Sequence, residues 1–469
     1  MKKDKKPSVE EKGSKITLRC TEDFRPGEAQ DFIINAIEHY LKSLPEKHSR
    51  RRTVGESIIK MNEKSDYEDV LSKKLDEEGF IRLYEHEPWE LSVGQLYYTV
   101  RDGSSLIAWR NTFGGFMISA AHTDSPCFRV KGSVTSGAYV KLETEKYGGM
   151  INYTWLDRPL TVAGRLALRT EKGIIMKLCD IGKTELVIPS LAIHMNRNVN
   201  ESLKLNPAVD LLPLASLAGG ADVFELAAKS VGAKKEEIVA HELFLVSAEE
   251  PRVFGTDGEF ILSPRLDDLA SVYAAFDGFM NMEAGLSTPV FAVFDNEEVG
   301  SETKQGAAST FLRDTLRRIS ESEEHYLERL GSSFMISADN AHAIHPNHPE
   351  VADKSNAPVL GGGVVVKYNA NQRYATDALS DGLLRRIAEG AGVKLQSYFN
   401  RADLPGGSTL GSISDTRVSV PTVDIGLPQL AMHSANESMA AKDFVDMKKL
   451  FSKFFGSTLY IEKNCISVI

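Results

Sequence analysis

The feature that most narrows the fold is the run Pro289-Val290-Phe291-Ala292-Val293-Phe294, six apolar residues that stop abruptly at Asp295-Asn296-Glu297-Glu298-Val299-Gly300. A strand with one wet face alternates apolar and polar side chains. A run without alternation belongs in a strand covered on both faces, as in a parallel sheet flanked by helices. In open α/β sheets, ligands bind just past the ends of such strands. Glu297 and Glu298 therefore stand at an expected site rim. Successive side chains of an extended segment point to opposite sides, so one glutamate suits a metal and the other suits proton transfer. The doublet alone decides little, because Glu249-Glu250 also follows an apolar run, Leu243 to Val246, with no other chemical signal around it.

The rest of the chain extends the same pattern. From residue 221 onward, periodicity predicts helix 221–231, strand 241–247, helix 268–281, strand 289–294, helix 307–319, strand 333–338, helix 375–391, strand 421–426 and helix 441–460. That order implies an α/β fold with a mixed, mostly parallel central sheet. Short strands are expected at 80–84, 95–100, 105–109 and 115–121. Residues 27–44 show helical spacing, and 50–79 are helical in composition. The stretch 132–190 differs, because alternating segments such as Tyr139-Val140-Lys141-Leu142 predict antiparallel strands and read as an insertion. The expected division is a flexible charged arm over 1–25, a principal catalytic domain over 26–125 and 256–469, and an inserted β-rich domain over 126–255.

A chain of 469 residues with 42% hydrophobic content can bury a substantial core. A formal charge of -10 with no long basic run argues against a nucleic-acid surface, which needs clustered Lys and Arg. No stretch approaches the roughly 18 apolar residues of a membrane span, so no membrane partner is expected. Met1 to Lys15 is charged and lacks the apolar segment of a secretory signal. Cys20, Cys127, Cys179 and Cys465 are too scattered for a disulfide framework or a CxxC zinc site. Together these features predict a cytoplasmic protein with reduced thiols.

Four other places put a potential ligand at a strand end or helix start. Phe116 to Ala121 runs into His122-Thr123-Asp124, and Leu266-Asp267-Asp268 precedes an apolar helix. Phe334 to Ala338 runs into Asp339, and Leu430-Ala431-Met432 runs into His433. With Glu298, these supply His122, Asp267, Glu298, Asp339 and His433. Each alone is more often an N-cap or a satisfied polar residue. Their convergence at the ends of parallel strands changes the balance. Two histidines and three carboxylates suit two zinc-like ions, with one carboxylate shared and a position on each ion left for water or substrate. Such a pair can activate a water and polarise an amide carbonyl, leaving Glu297 to take the water's proton.

Seven motifs in order carry a resemblance: His122-Thr123-Asp124-Ser125-Pro126-Cys127, Ser263-Pro264-Arg265-Leu266-Asp267-Asp268-Leu269, Asp295-Asn296-Glu297-Glu298-Val299-Gly300-Ser301, Ser337-Ala338-Asp339, His345-Pro346-Asn347, Gln372-Arg373-Tyr374-Ala375 and Ala431-Met432-His433-Ser434. The chain resembles the aspartyl aminopeptidases, the M18 family of dinuclear zinc aminopeptidases, over nearly all of its length beyond the N-terminal arm. The resemblance implies a metallo-exopeptidase catalytic domain of the phosphorylase/hydrolase-like kind, with the insertion serving oligomerisation. It implies two divalent ions, zinc foremost, with manganese and cobalt sharing these ligand types. Asp267 would bridge the ions, His122 and Asp339 would complete one position, and Glu298 and His433 the other.

The resemblance further implies Glu297 as general base, Asp124 orienting His122 from behind, and a cis peptide between Asp267 and Asp268. On the substrate side it implies Lys367 and Tyr374 as a pocket for an acidic first residue. His342 or His345 would steady the tetrahedral intermediate. His194 would reach from the insert into a neighbouring subunit's site within a homo-oligomer, a tetrahedral dodecamer in the family. The expected activity is removal of N-terminal Asp or Glu from peptides through a metal-activated water. The competing expectations are a neutral-residue aminopeptidase, an amino-acid deacylase with the same dinuclear site, and a catalytically inactive assembly scaffold.

Overall fold

The structure is a computed structural model that describes residues 9–12, 15–18 and 66–469, except 183–185, 284, 405, 408 and 463–464. The helix expected at 27–44 and most of the arm over 1–25 lie outside the described residues. Within the arm, β1 (Val9–Lys12) and β2 (Lys15–Leu18) pair as an antiparallel hairpin. Of the helical stretch expected over 50–79, helix α1 (Asp66–Glu77) is described.

The central sheet has nine strands: β3 (Ile81–Leu83), β4 (Leu96–Arg101), β5 (Ser105–Arg110), β6 (Phe116–His122), β15 (Thr288–Phe294), β16 (Phe334–Ala338), β18 (Val364–Tyr368), β19 (Leu395–Phe399) and β20 (Thr422–Gly426). Their spatial order is β19-β18-β20-β16-β6-β15-β5-β4-β3. The inner four, β20, β16, β6 and β15, are mutually parallel. β5 runs antiparallel to β15, as β18 does to β20, so the sheet is mixed but parallel at its heart.

Both faces of β15 are covered, which explains its unbroken apolar run. Phe291 and Val293 pack into one core with the helices Leu266–Met280, Ala378–Ala391 and Ala441–Phe455. Val290, Ala292 and Phe294 face the opposite core with Trp109, Phe116 and helix Phe311–Ile319. Burying a side chain of this size stabilises the fold by about 1.5–3 kcal/mol. Placing polar groups on either face would forfeit that.

Residues between β6 and the helix Leu266–Met280 build a second sheet with its own core. Its strands are β7 (Cys127–Ser136), β8 (Tyr139–Tyr147), β9 (Leu160–Thr170), β10 (Gly173–Asp180), β11 (Leu214–Leu217) and β12 (Ile238–Ser247), in the order β10-β9-β12-β7-β8-β11. Every pairing in it is antiparallel, as the alternation over 132–190 predicts. The strand expected at 241–247 forms here as β12, so it and helix Val223–Ser230 belong with this sheet and not with the parallel series. Periodicity identifies a strand but not the sheet that receives it. A third sheet joins Arg252–Phe254, Phe260–Ser263, Glu437–Ala440, Pro428–Leu430 and Ala341–His342.

Two helix boundaries differ, and one helix is additional. The helix expected at 307–319 begins at Phe311, because turns such as Gly306 N–H to Thr303 O hold the residues before it. A second helix, Glu323–Gly331, follows it. The closing helix stops at Phe455, where Gly456 and Ser457 turn the chain back into the hairpin Leu459–Glu462 and Cys465–Val468. No helix among the described residues is long and apolar enough to cross a membrane.

Candidate active site

The parallel strands deliver their terminal residues to one edge of the sheet. β6 ends on His122, β15 leads through a left-handed Asn296 (φ 65°) into Glu297 and Glu298, and β16 leads into Asp339. Asp267 opens the helix Leu266–Met280, and its peptide bond to Asp268 is cis. His433, also left-handed at φ 67°, follows the short strand Pro428–Leu430. Left-handed non-glycine residues cost about 1–3 kcal/mol each and persist where the surroundings over-determine them. At His433 those surroundings are its backbone N–H on Glu437 Oε1 at 2.6 Å and its carbonyl, which accepts from Ile151 N–H at 2.9 Å.

Asp267 is the centre of the arrangement. It is 2% exposed, and its two carboxylate oxygens face different histidines: Oδ1 lies 3.5 Å from His122 Nε2, and Oδ2 lies 3.6 Å from His433 Nε2. His433 Nε2 is also 3.4 Å from Glu298 Oε1. A tetrahedral ion with ligand bonds of about 2.0–2.2 Å has edges of about 3.3–3.6 Å, so these separations are those of atoms sharing an ion. Asp267 Oδ1 and Glu298 Oε1 are buried with no hydrogen-bond partner among the described residues. Buried carboxylate oxygens in that condition are costly unless a cation satisfies them. The donor set fits divalent ions.

Within 4.8 Å of one another, ligand-type atoms form three groups among the described residues: His122, Asp267 and Asp268; His122, Glu297 and Glu298; and Asp267, Glu298 and His433. Four of the five expected ligands therefore gather tightly. Asp339 stands slightly apart, buried, with Oδ1 3.5 Å from the Lys367 ammonium. Lys367 is 3% exposed, donates to the Asn340 carbonyl at 2.9 Å, and lies 5.4 Å from the Tyr374 ring centroid. It is thus already engaged with a neighbour of the centre.

The histidine rings are aimed from behind by backbone carbonyls. His122 Nδ1 is 3.0 Å from the Asp124 carbonyl, and His433 Nδ1 is 2.8 Å from the Gly149 carbonyl. Each leaves Nε2 for the centre. The Asp124 carboxylate also lies behind the His122 ring, with Oδ1 3.7 Å from His122 Nδ1, and its oxygens accept the Glu297 N–H at 2.9 Å, the Glu298 N–H at 3.2 Å and the Tyr147 hydroxyl at 2.6 Å. It fixes the backbone that presents both glutamates.

Concentrated charge shifts the protonation of the metal-free site. Burial, then the surrounding carboxylates, pushes the Glu297 pKa up to about 7. Burial and Asp267 push Glu298 up as well. Burial opposes protonation of His433, but Asp267 and Glu298 outweigh it and raise its pKa to about 10. A base near neutrality suits proton transfer.

The remaining expected residues lie outside these tight groups. His342 stacks edge-on against Tyr398 at 6.1 Å, and Tyr374 lies 6.5 Å from the same ring and 5.4 Å from the Lys367 ammonium, so these side chains cluster beside Asp339. His345 accepts from Asn347 N–H at 3.2 Å and stacks on His348 at 5.3 Å. His194 lies exposed in the loop between β10 and β11. Two residues that the motifs do not single out prove close to the centre. Glu437, 2% exposed, accepts both the Asp267 N–H at 2.9 Å and the His433 N–H. Tyr147 braces Asp124. Neither has a sequence signal, since their partners are distant in the chain.

Comparison with known proteins points the same way. A family model described as aminopeptidase I zinc metalloprotease (M18) matches residues 61–455. A probable M18 family aminopeptidase 2 from Clostridium novyi is 42% identical over 409 residues, covering 83% of this chain and 94% of the relative. A chain of the cryo-EM structure of the Ape4 and Nbr1 complex superposes with a TM-score of 0.82 at 34% identity, covering 85% of this chain and 84% of that one. The yeast mApe1 dodecamer gives 0.73 at 25% identity, over 86% and 96%.

Proposed function

The chain belongs to the M18 family of zinc aminopeptidases, and from that premise we propose that it removes N-terminal Asp or Glu from peptides, using two divalent ions and Glu297 as general base. The observation that carries this is the facing of Asp267 Oδ1 and Oδ2 toward His122 and His433 at ion-sharing distances. His122, Asp267, Glu298, Asp339 and His433 would hold the ions. When bound, the ions supply Lewis acidity that activates a water and polarises the scissile carbonyl.

Glu298 pairs with His433 Nε2 at 3.4 Å, whereas Glu297 lies within 4.8 Å of a His122 ring nitrogen and forms no ion pair with it. Glu297 takes the proton of the attacking water and returns it to the leaving amine. The Asp124 carboxylate holds its backbone still through that exchange. In the metal-free site burial pushes the Glu297 pKa up to about 7, and bound cations would draw it down toward its charged, base form. Glu297→Gln should leave both ions bound while lowering kcat by about 10²–10⁴-fold. Unchanged turnover would remove Glu297 from the mechanism.

Acidic preference rests on Lys367, the cation clustered with Tyr374 and His342. Its engagement with Asp339 favours keeping the neutral-residue aminopeptidase as a second reading, since a paired ammonium attracts a substrate carboxylate less strongly. Comparing kcat/KM on Asp-, Glu- and Leu-terminated peptides separates the two. Adding N-acyl amino acids tests the deacylase.

Assembly into a homo-oligomer, a dodecamer as in the yeast relative, would use the insert over 126–255. Its edge strand β10 exposes Ile174, Ile175 and Met176, and the loop after it exposes Leu191, Ile193 and Met195 around His194. Apolar exposure on that scale marks an interface. Mass photometry of the full chain tests it, and a monomer would remove the role of His194. A cytoplasmic location accords with the scattered cysteines.

A further inference from the structure

The insert touches the centre through a short connection within the same chain. β8 leaves the second sheet at Tyr147, and residues 147–151 run directly against the site. The Tyr147 hydroxyl donates to Asp124 Oδ2 at 2.6 Å and accepts from Asn296 Nδ2 at 2.8 Å. Asp124 in turn holds the backbone N–H groups of Glu297 and Glu298. Two residues later the Gly149 carbonyl sets His433 Nδ1 at 2.8 Å, and Ile151 N–H holds the His433 carbonyl at 2.9 Å. Between them Gly148 has φ +75°, and a Cβ there would stand 3.1 Å from the Glu298 Cβ. Only glycine meets both conditions without strain or displacement.

We propose that residues 147–151 are a positioning strap by which the insert holds Glu298 and His433 in place, so that one of the two ion positions depends directly on the insert and the other only through Asp124. The proposal rests on the two-ion reading above. The asymmetry is visible in the histidines: the strap reaches His122 at one remove, because Tyr147 holds the Asp124 carboxylate while the Asp124 carbonyl aims the ring, whereas a carbonyl of the strap aims His433 directly. A partner behind a metal-binding imidazole fixes its tautomer and ring orientation, and losing such a partner costs about 10–100-fold in affinity or activity. The insert therefore does more than present a surface to other subunits. It completes the catalytic centre of its own chain.

The test is zinc calorimetry on the metal-free, full-length chain. The wild type should take two ions. Gly148→Ala should bind one ion within a few-fold of wild type and the other about 10–100-fold more weakly. Equal weakening of both ions, or of neither, overturns the strap. If Gly148→Ala loses its cooperative thermal transition, Tyr147→Phe decides, because its ring keeps the edge-on contact with Phe244 at 5.8 Å. With zinc saturating, Tyr147→Phe should lower kcat about 10-fold with KM within two-fold of wild type, and an unchanged kcat overturns the proposal. A wild type that takes fewer than two ions overturns the two-ion reading and this proposal together. A wild type that takes two beside an unaltered Gly148→Ala overturns the strap alone.

Discussion

Replacing Glu437 should loosen the centre from behind, although this residue is placed in no contact with substrate. Its carboxylate is 2% exposed and accepts the Asp267 N–H through Oε2 at 2.9 Å and the His433 N–H through Oε1 at 2.6 Å. One side chain therefore ties together the backbones of two proposed ligands that are 166 positions apart (433 − 267). Glu437→Leu keeps comparable bulk but leaves both N–H groups buried without acceptors, at about 1–3 kcal/mol each, or about 2–6 kcal/mol in total. Glu437→Gln keeps one acceptor and turns an amide N–H toward the other donor, so about half of that loss is expected. Urea denaturation of the metal-free full chain gives the stability order wild type, Gln, Leu. Zinc titration of the same samples should show the affinity falling in that order by about 10–100-fold. A Leu variant within about 0.5 kcal/mol of wild type, the scatter of ordinary surface substitutions, would refute the claim that these bonds hold the ligands in place.

Three other outcomes follow from the same geometry. In the metal-free chain, burial and then Asp267 raise the Glu437 pKa from 4.5 to about 8, so the folded state keeps a proton that the unfolded state has released; this contribution makes stability fall as pH rises between those values, and wild type minus Glu437→Leu in a denaturation series isolates it. In the proposed mechanism Glu297 acts deprotonated, so kcat/KM should rise with pH through an apparent pKa at or below about 7, since bound cations favour its charged form; Glu297→Gln should abolish that limb. Lys367→Met removes the ammonium 3.5 Å from Asp339 and should reduce the Glu-to-Leu ratio of kcat/KM by at least about 10-fold, the 1.4 kcal/mol scale of a single charged contact, whereas an unchanged ratio would confine Lys367 to pairing with Asp339.

Much of the architecture was legible in the sequence because it depends on short-range repetition. The unbroken run ending at Phe294 meant burial on both faces, and β15 packs into two cores at once. The alternation over 132–190 meant antiparallel strands, and those strands form. Candidate ligands could be named because parallel strands end at one edge, so polar residues after Ala121, Phe294 and Ala338 were expected to converge. Sheet membership was less accessible: β12 has the periodicity of a strand of the central sheet yet pairs with β7 and β9, because pairing partners are chosen by tertiary contact.

What only the tertiary structure decided is how the centre is held. Asp124 stands behind His122 with its carbonyl 3.0 Å and its carboxylate Oδ1 3.7 Å from Nδ1, and the same carboxylate also secures the glutamate backbone, a second role with no signal in the sequence. Glu437 and Tyr147 do their work on groups far away in the chain, and Lys367 meets Asp339 across a strand gap. Such bonds join a side chain to a distant backbone or charge, leave no periodicity in the sequence, and exist only once the fold has brought their ends together. Residue types and strand ends determined which atoms could bind metal. The packed backbone around Asp267 decided where those atoms point.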